Sequence, residues 1–161
     1  MNKQDFLMLN TTPYGGGLWH TWFDRDLGIA GRAIIRTPGG ALRSELFRID
    51  QPIARIPNLA IHLTSGSERE SFTPNLQEHA KAILTLDSTV TAALPAADVG
   101  GRVHDVLLAA IGAVLSLGEG EVIVDVESQL IDIQKPSIGG ANKEFILSGR
   151  LDNLWYLQFE F

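Results

Sequence analysis

The chain has 161 residues, 45% hydrophobic and 20% charged, with 13 Lys+Arg against 19 Asp+Glu and a formal net charge of −6. That length supports one substantial core, and scattered single basic residues in an acidic chain argue against a nucleic-acid or anionic-lipid surface. With no cysteine, a disulfide framework, a thiolate metal site and a thiol nucleophile are excluded.

Gly15-Gly16-Gly17 leads into Leu18–Phe23, which reads as a strand, and Leu27–Arg36 is a largely apolar, β-branched run. Pro38-Gly39-Gly40 supplies turn chemistry, so Leu27–Arg36 and Ala41–Asp50 are predicted to pair as a β-hairpin. Pro52 and Pro57 bracket Ile53–Ile56 and restrict it to an edge or irregular piece. Residues 64–75 are polar and turn-rich and read as a surface loop, and residues 87–98 as a connector. Apolar residues from Val99 to Val114 recur at three- and four-residue intervals, predicting a helix over about 99–116 with Asp98 as its cap and Gly118 at its close. Glu121–Ile133 reads as a long strand, with Val122, Val124 and Val126 opposite Ile123, Asp125 and Glu127. Gly139-Gly140 is a turn and Glu144–Leu147 a short strand ahead of Arg150-Leu151-Asp152-Asn153. The expected class is α+β, mostly β, with one principal amphipathic helix. The N-terminal apolar stretch is too short for a signal peptide, and the run around 106–117 falls short of the roughly 20 residues a bilayer requires. A cytoplasmic protein without membrane contact is expected.

Four histidines (His20, His62, His79, His104) invite a metal search, but no His-Glu-x-x-His pattern is present and no two stand at i, i+4. His79 and His104 read as surface or satisfied residues, and His62, between Ile61 and Leu63, reads on residue type as a core residue. His20, Asp24 and Asp26 have ligand chemistry, yet a charged turn pairing with arginine is the simpler reading. Gly15-Gly16-Gly17 lacks a following Gly-Lys-Ser/Thr, so close backbone approach or an irregular turn is expected there, not a phosphate cradle. Asp152, after an apolar strand, sits where open α/β folds place ligands, but on residue type alone such an aspartate is more often a helix N-cap than a metal ligand, and spacing does not decide between them.

Longer signatures go further. Tyr14-Gly-Gly-Gly-Leu-Trp-His-Thr-Trp-Phe-Asp-Arg-Asp-Leu27 closely resembles a signature of the aspartyl aminopeptidases, dinuclear zinc metallopeptidases that remove N-terminal Asp or Glu. The likeness continues through Ala30-Gly31-Arg32, Pro52–Leu63 and Phe72–Asn75. It resumes at Ile131–Pro136, Gly139-Gly140, Glu144–Leu147 and Arg150-Leu-Asp-Asn-Leu154, spanning about residues 6–154. The resemblance implies a β-rich dimerisation insertion, as found within an α/β metallopeptidase, over residues 14–147, preceded by a lead-in at 1–13. Residues 148–161 would then be a stub of the catalytic domain with an atypical aromatic tail. It further implies that Asp152 matches the bridging zinc ligand and that His62 reaches a partner subunit's active site to hold substrate. The family's remaining ligands and its general-base glutamate have no counterpart here, and a two-metal site needs terminal ligands on each ion. The expectation is therefore a truncated form, silent alone, with no catalytic residue of its own and no stably bound zinc. Its expected partners are a second copy or a larger homo-oligomer, or a full-length paralogue onto which it docks as an interaction protein. Acidic N-terminal peptides are the family's substrates.

Overall fold

Leu27–Arg36 (β3) is the middle strand of the main sheet, because Leu27, Ile29, Ala33 and Ile35 alternate onto one face and all are buried. The computed structural model describes residues 2–3, 6–86 and 92–154. Ahead of β3 lie β1 (Asn2–Lys3) and β2 (Phe6–Leu9). Leu42–Ala54 (β4) returns antiparallel along one edge of β3, with Gly31 opposite Phe47 and Ile35 opposite Arg43. The predicted hairpin is present, its turn closed by the Gly40 N–H donating to the Thr37 carbonyl and by Gly40 at φ +83°. Towards the far end, Leu27 faces Ala54 while Ile29 faces Ile49, so β4 bulges around Pro52, which has no N–H to give the ladder.

The other edge of β3 is taken by β6 (Val122–Asp132). Its predicted alternation is broken: Ile34 pairs with Asp125 and Ile35 with Ile123, leaving Val124 as a bulge that swaps the faces. Ile123 is thereby fully buried, and Val126 packs against the same core. A second sheet, β1–β2–β5 with β5 at Ala82–Thr85, joins the first through the Arg55–Ile83 bridge. The hairpin of β7 (Ser137–Gly139) and β8 (Phe145–Leu147) stands apart.

The helix is shorter than about 99–116. Gly100 and Gly101 both adopt positive φ, +60° and +71°, which interrupts any right-handed helix, so α3 runs Asp105–Gly112. His104, not Asp98, is its N-cap, Nδ1 accepting from the Val106 N–H at 3.2 Å. Asp98 instead pairs with Arg36. Gly118 is beyond the helix end and its N–H donates to Glu121 Oε2. Leu107 and Ile111 of the predicted apolar face are buried against Ile29, Ile35, Phe47 and Ile123, joined by Leu108, whereas Val114, predicted on that face, lies past the helix end and is exposed. A short helix, α1 (Gly66–Glu70), lies inside the segment predicted as loop, and a second, α2 (Leu76–His79), follows that segment. Ser65 and Glu68 form a capping box on α1. The expected strand at Leu18–Phe23 is a 3₁₀ turn over Trp19–Trp22. No helix among the described residues is long and apolar enough to cross a membrane.

Arg43 fastens the loop after α3 to β4. Its Nε and Nη2 grip Glu121 at 2.9 and 2.6 Å, and its Nη1 reaches Glu45 at 2.5 Å. The Arg43 guanidinium, with help from the Gly118 N–H, holds the Glu121 carboxyl down at about 2. A folded-state pKa below the unfolded value of about 4.3 stabilises fully above pH ~5, and that contribution is lost as pH falls towards ~2. Glu121→Gln is therefore expected to lower the melting temperature at neutral pH. Thermal melts should show this gap to the unsubstituted chain closing as pH falls from ~5 to ~2.

Candidate functional site

His62 lies in a short 3₁₀ turn, Ile61–Leu63, within a loop that is exposed but held. Arg69 of α1 donates Nη2 to the Ile61 and Thr64 carbonyls at 2.8 and 3.0 Å, tying the turn to the helix. The Asn58 N–H donates to Asp24 Oδ1, and Phe72 stacks edge-on against Phe23 and His20, pinning both ends of the loop to the Trp19–Asp26 segment. The flanking side chains nevertheless face outward: Leu59, Ile61 and Leu63 are 59%, 62% and 72% exposed. His62 is thus not the core residue that its apolar neighbours suggested.

His20, Asp24 and Asp26 do not converge as ligands. His20 makes the ring contact with Phe72. Arg55 donates Nη1 to Asp26 Oδ1 at 2.9 Å and Nη2 to the Asp24 carbonyl at 2.7 Å, so the trio is the arginine-paired turn, with Asp24 at φ +56°. Gly15 and Gly16 have open space where a Cβ would stand, and Gly15 is at φ +74°. The run serves as an irregular turn and not for close approach. His79 Nδ1 accepts from the Asn75 N–H at 3.1 Å, a local structural role.

Asp152 is exposed, and its backbone (φ −81°, ψ 111°) breaks the helical geometry of Leu151–Leu154 at the aspartate itself. Two residues before it, Arg150 adopts φ +60° and lays its guanidinium over the Trp22 ring, 4.3 Å from the centroid. Arg150 Nη1 donates to Thr21 Oγ1 at 2.7 Å, while its Nε and Nη2 are buried without an acceptor. Burial, and then the neighbouring Arg25 charge, pulls the Arg150 pKa down, partly offset by Asp132. Arg25 in turn donates Nε to the Thr21 carbonyl at 2.6 Å and Nη1 to Asp132 at the end of β6. An open, charged cleft of about 730 Å³ lies along Arg25, Asp26, Arg55 and Asp132. The Arg150–Trp22 contact joins segments 128 positions apart, and no local sequence pattern announced it.

The model of the Aminopeptidase I zinc metalloprotease (M18) family matches residues 1–158. The chain belongs to the M18 family. An aspartyl aminopeptidase of Aspergillus oryzae is 39% identical over 173 residues, an alignment covering 94% of this chain and 34% of that relative. Among solved structures, Ape4 in an Ape4–Nbr1 complex superposes with TM-score 0.76 at 35% identity, covering 96% of this chain and 30% of that one. An S. cerevisiae mApe1 dodecamer superposes with TM-score 0.61 at 25% identity, covering 91% and 29%. This M18 chain spans about a third of the length of the curated relatives it matches.

The M18 family is a zinc metalloprotease family. Among the described residues no three His, Cys, Asp or Glu side chains gather where an ion could be held. Asp152 is a single exposed carboxylate, and a dinuclear centre needs terminal ligands on each ion as well as a bridging one. The described residues of this M18 chain do not by themselves assemble the ligand set such a centre requires.

Proposed function

We propose that this chain is the β-rich dimerisation domain of an aspartyl aminopeptidase-type enzyme, with 14–147 as the domain and 148–161 leading towards the catalytic part. It acts by self-association, which carries His62 into a partner subunit's site to hold an acidic N-terminal residue. Asp152 offers the bridging carboxylate of a zinc centre whose other ligands lie outside these 161 residues. Alone, the chain is catalytically silent and holds no zinc stably. The observation that carries this reading is the His62 turn. Its backbone is fastened by Arg69, Asp24 and Phe72, yet Leu59, Ile61 and Leu63 are left outside, the pattern of a preformed surface awaiting cover. The oligomeric state of the mApe1 dodecamer supports the self-association.

The test is a direct assay. The purified 161-residue chain, given an N-terminal aspartyl substrate with zinc or manganese, should show no turnover above the metal blank. Turnover that survives rigorous removal of contaminating peptidases, and that Asp152→Ala abolishes, would sink the silent-domain reading.

A further inference from the structure

A residue can hold a proposed ligand in place without touching metal or substrate, and Arg150 has the features of one. It carries two costs at once. Its backbone is in the left-handed region, which a long side chain rarely adopts, and two guanidinium nitrogens are buried with no acceptor. Arg43 shows what that guanidinium edge does when stability alone is served: its Nε and Nη2 grip Glu121. In Arg150 the same edge is left unmet, and the group is committed instead to the Trp22 face and to Thr21 Oγ1. Costs of this kind persist where the surroundings over-determine a conformation, and they concentrate at functional sites.

We propose that Arg150 is the positioning residue for Asp152, clamping the turn that carries the aspartate onto the Trp19–Trp22 turn by stacking on Trp22 and hydrogen-bonding Thr21. The clamp does not end there. The Thr21 hydroxyl donates a hydrogen bond to the Leu18 carbonyl, the Thr21 carbonyl accepts one from Arg25 Nε, and Arg25 is anchored on Asp132 at the end of β6. The Asp152 turn is thereby referenced to the main sheet through Arg150, Thr21 and Arg25 in series. This rests on the reading of Asp152 as a ligand for its purpose, but not for its geometry.

The chain contains no cysteine, so Asp152→Cys gives a single attachment point for a nitroxide at an exposed position. A control label goes at Ser44→Cys, exposed on β4. In the otherwise unchanged chain, the spin label at 152 should give an ordered, slow-motion spectrum. Arg150→Met, which keeps the length but loses the cation and its donors, should shorten the label's correlation time severalfold at 152 and leave the label at 44 unchanged. Arg150→Lys, which can still place a cation over Trp22 and donate to Thr21, should restore most of the order. An unchanged spectrum at 152 in Arg150→Met overturns the proposal. So does equal mobilisation at 44, which marks a general loss of folding, and so does a lysine that restores nothing. No metal enters the readout, so failure of the clamp and failure of Asp152 as a ligand are separate results.

Discussion

Gly31→Ala is expected to destabilise the domain by about 3 kcal/mol or more, at or above the upper end of ordinary overpacking. Gly31 sits in the middle strand, opposite Phe47 on one side and Ser128 on the other. A Cβ there would stand 2.1 Å from the Glu127 carbonyl oxygen, 2.9 Å from Ser128 Cα and 3.0 Å from Phe47 Cζ. Two of those atoms are backbone of β6, so no rotamer change relieves the clash. The strands must separate, and the ladder that holds β6 to β3 is the one that buries Ile123. Gly28 faces the same constraint, 2.2 Å from the Ile49 carbonyl oxygen. Gly39 is the matched control, with open space around it and no positive φ. Gly39→Ala should stay within about 0.5 kcal/mol of the unsubstituted chain. Urea denaturation of the two variants compares them directly, and a Gly31→Ala midpoint equal to that of Gly39→Ala would contradict the packing described for β3.

The hairpin of β3 and β4 was legible because local signals agreed: alternating apolar residues flank Pro38-Gly39-Gly40. The apolar face of α3 was legible for the same kind of reason, but its length was not. Val99 and Val103 continue the spacing of the helix and pack on its core, while Gly100 and Gly101 between them turn the backbone left-handed. Periodicity reports which residues face the core, not what backbone carries them there. The bulge at Val124 defeats simple alternation in a comparable way, since one unpaired residue reverses the faces of everything after it. Ser65-Gly66-Ser67-Glu68 did carry a readable helix start, the capping box of α1, inside what its polarity marked as loop.

The site was legible to a different degree. His62 and Asp152 came forward through resemblance, since on residue type the one read as core and the other more often as a helix cap than as a ligand. The structure places both on exposed turns. The contacts that organise those turns, Asn58 with Asp24, Arg25 with Asp132 and Arg150 with Trp22, join residues 34, 107 and 128 positions apart. Pairings of that span leave no periodic trace in the chain.

The second large expectation concerns assembly. β4 is an edge strand of the main sheet, and on it Leu42 and Leu46 are 66% and 80% exposed. The β7–β8 hairpin leaves Ile138, Phe145, Ile146 and Leu147 all more than half exposed. Together with the His62 turn, this is more uncovered apolar surface than scattered single residues would leave, and a stable interface takes roughly 800 Å² from each partner. The proposed self-association covers part of it. The most direct measurement is sedimentation velocity of the isolated chain at micromolar concentration. A species of at least twice the 17.5 kDa chain mass is expected. A single 17.5 kDa species across that concentration range would contradict it.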